Sequence, residues 1–169
     1  MIMTSLQHEL ESLYDEYRQP LFTCALSVTR NHDLAEDAIH DAFCRLLQSE
    51  IKPRYLKTYV FRSVRNAAID IIRKRRSTVQ LDPGYIFDTS ANPREIAEQK
   101  NFQQIVSNAL LQLSEEERET IVQHLYADLT FREIAEIREC PVGTITSWYR
   151  RGISKMRVII DGIKNGGLQ

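Results

Sequence analysis

The stretch from Pro53 to Arg76 constrains the fold of this chain more than any other part of it. It reads PRYLKTYVFRSVRNAAIDIIRKRR and contains eight Lys or Arg residues against a single acid, Asp70. At about 100° per residue, the apolar side chains fall on one side of a helix. These are Leu56, Val60, Val64, Ala67 and Ile71. The pattern therefore predicts a basic amphipathic helix that packs its apolar side against other elements.

Four further side chains form a row beside that apolar side, at spacings i, i+4, i+7 and i+11. They are Tyr55, Tyr59, Arg62 and Asn66. Aromatic rings stack on unpaired bases, Arg pairs with phosphate, and Asn can hydrogen-bond a base edge. An ordinary solvated basic face with two half-buried tyrosines fits the same pattern. The row alone leaves both interpretations open.

The charge of the chain is segregated although its net value is only −1. Residues 51–80 hold nine basic residues and one acid, and residues 140–169 hold five and one. Residues 1–50 hold three basic residues against nine acids, and residues 114–139 hold three against eight. Two basic segments between acidic ones indicate two contacts with a polyanion and at least one acidic surface suited to a basic partner.

Length and composition exclude several classes. A chain of 169 residues with 43% hydrophobic residues can bury a core, as one domain or two small ones. The three cysteines, Cys24, Cys44 and Cys140, contain no C-x-x-C pair and favour a reducing compartment. His40 and Cys44 are four residues apart, but no second ligand pair accompanies them, so no metal site or cofactor is predicted. No signal peptide or membrane-length apolar run is visible, and a cytoplasmic protein is expected.

An enzyme is the least favoured class. A nuclease or deaminase would have to use Asp37 and Asp41, which share one helix face. No Gly-rich phosphate loop, H-E-x-x-H or C-x-x-C motif accompanies them. We therefore expect neither catalysis nor a small-molecule substrate.

Helical periodicity recurs along the chain and predicts an all-α fold. Residues 5–30 read as a helix that Pro20 can kink or break. Asp33 with Glu36 forms a capping pattern for a helix from Leu34 to about Gln48. Pro53 suits the first turn of the basic helix.

A linker is predicted next, at residues 79–94, where Pro, Gly and Asp/Ser/Asn residues interrupt the pattern. A helix follows from Glu95, with Ile96, Ala109 and Leu113 inward, together with either Phe102 or Ile105 and Val106. Ser114-x-x-Glu117 is a capping box that opens a helix with Ile121, Val122 and Leu125 inward.

The C-terminal part has the pattern of a helix-turn-helix motif. Thr130-x-x-Glu133 is a second capping box, which opens a short helix, and Cys140-Pro141 begins the last helix. That helix ends in basic residues. Arg138 and Glu139 are less typical, because the turn there often has an apolar residue and a glycine. Trp148 lies at a helical spacing that is more often core than base contact.

These segments together resemble the extracytoplasmic-function sigma factors of bacterial RNA polymerase. LAEDAIHDAFCRL (34–46) looks like the polymerase-docking helix of that family. TYVFRSVRNAAIDIIRKRR (58–76) is similar to its promoter-melting helix, whose usual form is W-L-Y-R-I-A-x-N-x-x-x-D. LSEEERETIVQHLYADLTFREIAEIRECPVGTITS (113–147) resembles the fourth sigma domain, and its E-I-A…P-V-G-T core is the most specific part.

The resemblance implies a transcription initiation factor made of two small helical domains. Residues 1–78 would be the second sigma domain, which binds core polymerase and melts the minus-10 element. Residues 95–169 would be the fourth, whose helix-turn-helix reads the minus-35 element. The implied partners are core RNA polymerase, promoter DNA and an anti-sigma factor. The alternative is a stand-alone helix-turn-helix regulator, which would need a dimer with palindromic half-sites and leaves the row without a role.

The resemblance also assigns residues. The implied polymerase contacts are Asp37, Asp41, Phe43 and Arg45. The implied minus-10 contacts are Tyr55, Tyr59, Arg62, Arg65, Asn66 and Arg73. The implied minus-35 contacts are Thr144, Thr146, Ser147, Arg150, Arg151 and His124. The chain departs from the family at Thr146 and Trp148, where basic residues are frequent, and at His124, where an Arg can reach a phosphate.

Overall fold

The computed structural model describes residues 5–49, 51, 53–75 and 98–166 of the chain. These residues form seven α-helices joined by turns, and no strand occurs among them. The helices are α1 (Ser5–Thr29), α2 (His32–Gln48), α3 (Leu56–Arg75), α4 (Glu98–Leu111), α5 (Glu115–Leu125), α6 (Phe131–Arg138) and α7 (Val142–Gly166). The predicted all-α fold is confirmed. The predicted linker at 79–94 lies outside the described residues.

Helices α1, α2 and α3 pack on one another and form the first bundle. The predicted apolar side of α3 faces this core: Val60, Val64 and Ala67 are buried, and Leu56 and Ile71 are half-buried at its margins. Because this side is fixed by packing, the polar side of α3 faces away from the core of the first bundle. Pro53 lies three residues before α3 begins, so its predicted place in the first helical turn is wrong.

Helix α1 runs through Pro20, and the break considered there is absent. Proline removes one backbone hydrogen bond and usually disrupts a helix interior. Here the half of α1 that follows Pro20 is almost entirely buried, with Leu21, Ala25 and Leu26 at 2% exposure or less. Tertiary packing of this half therefore outweighs the local cost of the proline.

The cap of α2 is Asn31, and the capping box predicted from Asp33 and Glu36 is wrong. The Asn31 side chain accepts a hydrogen bond from the Leu34 N–H at 3.0 Å, and the Asn31 backbone is extended, as a cap requires. Asp33 therefore lies inside the first turn. Its charge there is favourable because the N-terminus of a helix attracts anions.

Helices α4 to α7 form the second bundle, around Leu110, Ile121, Ile134 and Ile145. Both predicted capping boxes, at Ser114 and at Thr130, are present with reciprocal hydrogen bonds. They fix where α5 and α6 begin.

Two apolar residues predicted to point inward are exposed instead, Phe102 at 53% and Leu125 at 56%. In α4 the half-buried Ile105 and Val106 carry the contact, as in the alternative considered. Leu125 is the last residue of α5, and the buried Ala127 and Leu129 after it continue the core.

The two bundles touch in the structure. α1 packs against α5, and α3 packs against α6. The buried Arg118 of α5 donates from Nε to the carbonyl oxygen of Ser27 in α1 at 3.0 Å. We call this the closed arrangement. It directs the polar side of α3 toward the second bundle.

Candidate nucleic-acid and polymerase interfaces

The row on α3 is retained in the structure. Tyr55 lies just before the helix and is 59% exposed, and its carbonyl accepts the Tyr59 N–H at 3.1 Å, so the row extends past the helix start. Tyr59 is half-buried and Asn66 is exposed. These three side chains can meet a ligand without rearrangement of the helix.

Arg62, the fourth member of the row, is held by the second bundle. Its guanidinium donates to the carbonyl oxygen of Glu136, and its Nη1 lies 3.6 Å from the carboxylate of Glu139. The Arg62 Nε is buried and has no hydrogen-bond partner among the described residues. Arg62 is thus engaged by the second bundle with one donor left unsatisfied.

Arg65 forms the most buried of the described ion pairs between the bundles. It donates from Nε to Glu119 Oε2 at 2.6 Å and from Nη2 to Glu119 Oε1 at 3.3 Å. Glu119 is fully buried and Arg65 is 17% exposed. Two-point pairing of Arg with a carboxylate is among the stronger hydrogen-bonded contacts in proteins.

A second cation, Arg138 of the second bundle itself, also faces Glu119. Arg138 Nη1 lies 3.9 Å from Glu119 Oε2 and donates to the Thr120 hydroxyl at 3.2 Å. Burial lowers the pKa of Arg138, and the neighbouring Glu119 carboxylate opposes that change. The buried carboxylate is therefore balanced by one cation from each bundle.

Lys57 is a contact residue that the sequence analysis did not select. Its Nζ lies 3.5 Å from Glu133 Oε1 and 5.0 Å from the ring centre of Tyr17. The only available indication was the opposite charge of segments 51–80 and 114–139.

Arg73, a predicted minus-10 contact, remains on the surface. Its Nη2 donates to Asp70 at 3.0 Å, and the predicted polymerase contact Arg45 lies 4.0 Å from the same carboxylate. Both Arg side chains are well exposed. Exposed pairs of this kind contribute little to stability, so both cations can exchange partners.

Helices α6 and α7 have the geometry of a helix-turn-helix. Glu139 ends α6 with φ 53°, in the left-handed region, and the Cys140 N–H donates to the Ala135 carbonyl at 3.1 Å. This is a Schellman-type helix end, where glycine is the unstrained residue. The structure therefore explains why Glu139 looked atypical in the sequence.

The first turns of α7 present hydroxyl groups and few charges. Thr144 and Thr146 are half-buried, and Ser147 is exposed. The Thr146 and Ser147 hydroxyls donate to carbonyls one turn earlier, at 3.0 and 2.9 Å. Their hydrogens are thus in use, whereas their oxygens keep lone pairs that can accept from a base edge. Arg150 and Arg151 are exposed at the end of this surface.

His124, a predicted minus-35 contact, and Trp148, whose spacing suggested a core residue, both make contacts within the second bundle. His124 Nδ1 donates to the Leu129 carbonyl at 2.8 Å, and the ring stacks on Phe131. With Nδ1 carrying the hydrogen, neutral His124 has only an acceptor at Nε2, so a phosphate contact requires the doubly protonated ring. Trp148 packs at the edge of the core under the Arg138 guanidinium, 4.7 Å away, as its spacing indicated.

The predicted polymerase contacts on α2 lie on two faces. Asp37, Asp41 and Arg45 are exposed along one side. Phe43 is half-buried on another side and meets the Tyr14 ring edge-on at 5.1 Å. Phe43 lines a groove of 670 Å³ between α1 and α2, whose other apolar walls include Leu10, Phe22 and Ile39.

The described residues contain no cluster of three or more possible metal ligands. The closest candidate is a pair, in which Cys44 Sγ lies 3.7 Å from His40 Nε2. No helix in the described ranges is long and apolar enough to cross a membrane. Two helical bundles, a basic aromatic helix and a helix-turn-helix define the class as a two-domain DNA-binding protein.

Comparison with known proteins specifies the class. Residues 13–78 match the family model for sigma-70 region 2, and residues 103–156 match the model for sigma-70 region 4. The chain is 22% identical over 160 residues to the ECF RNA polymerase sigma factor SigM of Bacillus subtilis (strain 168), covering 90% of this chain and 95% of SigM. It is 25% identical over 165 residues to SigW of the same organism, covering 89% and 88%.

A solved structure agrees. The sigma factor RpoE from Bartonella quintana, crystallised in complex with the anti-sigma factor NepR, matches with a TM-score of 0.70 and 25% identity, covering 94% of this chain and 98% of RpoE. The chain belongs to the extracytoplasmic-function sigma factors of the sigma-70 family. It directs core RNA polymerase to promoter DNA, and the alternative of a stand-alone regulator is thereby set aside.

Proposed function

We propose that the two bundles divide promoter recognition between them. The first bundle, within residues 1–78, binds core polymerase and opens the minus-10 element. The second, within residues 95–169, reads the minus-35 element, and residues 79–94 connect the two. The observation that carries this assignment is the row, in which the exposed Tyr55 just before α3 and the exposed Asn66 within α3 lie beside a run of cations.

At the minus-10 element, the roles follow from the chemistry of each side chain. Tyr55 and Tyr59 offer rings on which unpaired bases stack, and Asn66 offers an amide to a base edge. The remaining contacts, Arg62, Arg65 and Arg73, would neutralise phosphates of the melted strand. Arg62 and Arg65 must leave their carboxylate partners to do so, and Arg73 is already at the surface.

At the minus-35 element, the proposed contacts are Thr144, Thr146, Ser147, Arg150, Arg151 and His124. No basic residue precedes Arg150 in α7, so hydroxyl groups and the backbone N–H groups at the start of the helix face the groove. Each phosphate contact contributes roughly −0.9 to the salt slope, so few contacts mean weak, shallow binding. Polymerase then supplies affinity by tethering both bundles to one promoter.

The polymerase surface is proposed at Asp37, Asp41, Phe43 and Arg45. The exposed acidic residues suit a basic partner surface, and the groove beside Phe43 can take an apolar side chain. The chain itself performs no catalytic step and lends specificity to the polymerase, which works where the bacterial DNA is, in the cytoplasm. Since RpoE was crystallised with an anti-sigma factor, an anti-sigma partner for this chain is also proposed.

Separate variants test the proposed polymerase contacts and the proposed minus-10 contacts. Asp37→Arg with Asp41→Arg should abolish co-purification with core polymerase while the far-UV circular dichroism stays unchanged, because both side chains are exposed. Asp15→Arg with Glu16→Arg is the matched control, since it makes the same change in charge on the exposed side of α1. Normal co-purification of the α2 variant would refute the docking assignment.

For the row, Tyr59→Ala and Asn66→Ala should each weaken binding of the melted strand by about 1–3 kcal/mol. Permanganate footprinting of promoter DNA with the polymerase complex should show loss of thymine reactivity while polymerase binding is retained. Asn108→Ala, on the exposed side of α4, is the control. Normal reactivity in both row variants would exclude the row from melting.

A further inference from the structure

The three hydroxyl groups on the first turns of α7 differ in how their hydrogens are used. The Ser147 hydroxyl donates to the Gly143 carbonyl at 2.9 Å, and the Thr146 hydroxyl donates to the Val142 carbonyl at 3.0 Å. The Thr144 hydroxyl makes no such bond among the described residues. Two of the three hydroxyls are therefore committed as acceptors, whereas the third can donate or accept.

We infer that Ser147 and Thr146 select bases that carry an exocyclic amino group in the major groove, adenine or cytosine, over guanine and thymine at the same places. The inference rests on the proposed function, in which these residues face the minus-35 element. It deepens that function by naming the chemical group that this surface recognises, which is an amino N–H at the base edge.

The edge of each base in the major groove decides which bond a committed hydroxyl can make. Adenine and cytosine present an amino N–H there, whereas guanine and thymine present a carbonyl oxygen at nearly the same place. A hydroxyl that already donates to its own helix gains a bond to an amino group and loses none. To bond a carbonyl oxygen, it must first give up its helical bond. The difference is about one net hydrogen bond, or roughly three- to tenfold in affinity for each hydroxyl.

No charged side chain competes with these hydroxyls at the start of α7. Arginine commonly reads guanine through two hydrogen bonds, but the first arginine of this helix is Arg150. The next, Arg151, has its Nε 3.6 Å from the Glu117 carboxylate of α5, which draws it toward the protein. The exposed Val142 and Gly143 offer no side-chain hydrogen bond. The turns before Arg150 therefore discriminate between bases through hydroxyl groups.

The test uses holoenzyme reconstituted from the full chain and core polymerase. The probe is a pool of double-stranded DNA in which both promoter elements are randomised, and the bound molecules are sequenced. Among the minus-35 base pairs, at least one should favour adenine and cytosine over guanine and thymine on the same strand. The expected preference is roughly three- to tenfold.

Two substitutions remove the committed acceptors with little change in side-chain shape. Ser147→Ala and Thr146→Val should each equalise the four bases at the base pair that the missing hydroxyl would meet, while selection elsewhere in the element is retained. Thr144→Val is the matched control, because it removes a hydroxyl of the same turns that is not committed as an acceptor. It should leave the preference for amino bases unchanged. Thermal unfolding verifies that all three variants are folded.

A base analogue isolates the amino group itself. In the selected duplex with adenine at the responding base pair, 2-aminopurine replaces that adenine. The analogue still pairs with thymine but carries its amino group in the minor groove. Wild-type holoenzyme should bind this duplex roughly three- to tenfold more weakly than the adenine duplex. The variant that lacks the corresponding hydroxyl should bind both duplexes equally, because the two changes remove the same bond.

The outcomes separate this inference from the proposed function. Preference for guanine or thymine at a base pair that responds to Ser147→Ala or Thr146→Val overturns the inference, and so does equal wild-type affinity for the adenine and 2-aminopurine duplexes. Minus-35 selection that neither substitution alters but Arg150→Ala weakens overturns the inference alone, since α7 would then read DNA through other groups. A pool with no selection at minus-35 refutes the proposed role of α7 and the inference with it.

Discussion

The contact between α5 and α7 depends on Gly152, and replacing it with alanine gives a prediction whose sign can be worked out. A Cβ at this position would lie 2.6 Å from Ile121 Cδ1 and 3.3 Å from Glu117 Cβ. Ile121 is only 1% exposed, so its side chain has little room to move aside. Overpacking of a core costs about 1–3 kcal/mol, whereas alanine gains about 1 kcal/mol over glycine in a helix. We expect Gly152→Ala to destabilise the second bundle by about 1 kcal/mol.

Gly162→Ala, later in the same helix, is the matched control. No atom lies within 4 Å of the Cβ it would add, and the residue is exposed. Only the propensity gain remains, so this variant should be stabilised by about 0.5–1 kcal/mol. Glycine-to-alanine substitution at these two positions of α7 should therefore change stability in opposite directions.

Urea unfolding followed by tryptophan fluorescence measures both variants. Trp148 is the single tryptophan of the chain and lies on α7, so the signal reports the second bundle. Adding Ile121→Val to Gly152→Ala removes the clashing Cδ1 and should cost less than the sum of the single changes. If Gly152→Ala were as stable as Gly162→Ala, the close approach of α5 and α7 would be refuted.

Two further predictions concern titrating groups. Burial raises the pKa of the Cys24 thiol, and the nearby Glu119 carboxylate raises it further. In the native chain, Cys24 should therefore react with Ellman's reagent far more slowly than the partly exposed Cys44 and Cys140. Equal rates for all three thiols would contradict the burial of Cys24. For Glu133, partial burial opposes ionisation, but the hydrogen bonds from Thr130 and the charge of Lys57 lower its pKa overall. The contribution of the Glu133 carboxylate to stability is then complete above its ordinary pKa of 4.5 and is lost as pH falls through the lowered pKa of the folded state. The difference in stability between wild type and Glu133→Gln should therefore shrink below about pH 4.5. A difference that stayed constant would count against this account.

Local patterns predicted the elements of this chain better than their ends. Both capping boxes are present because Ser or Thr with Glu three residues later satisfies two backbone groups at once. The Asp33 pattern failed because Asn31, two residues earlier, competes for the same role and reaches the Leu34 N–H. Phe102 and Leu125 have the right spacing for burial, but spacing does not tell where a neighbouring helix stops covering a face.

Helical periodicity could not predict the contact between the two bundles. Segregated charge indicated that an acidic surface meets a basic one, but not whether the partner is another molecule or the same chain. In the structure, the acidic segment 114–139 meets the basic segment 51–80. The positions of Glu119 and Glu139 relative to α3 depend on the packing of α1 on α5, which involves residues far apart in sequence.

On the proposed assignment, the polymerase surface is accessible in the closed arrangement, because Asp37, Asp41 and Arg45 are exposed there. The proposed minus-35 surface on α7 has no basic residue before Arg150, so we expect the free chain to bind promoter DNA weakly. Tethering on polymerase would raise the effective concentration of each bundle near its element without any new contact. We therefore expect specific promoter binding only in the complex with polymerase, and tight, steeply salt-dependent binding by the free chain would contradict this expectation.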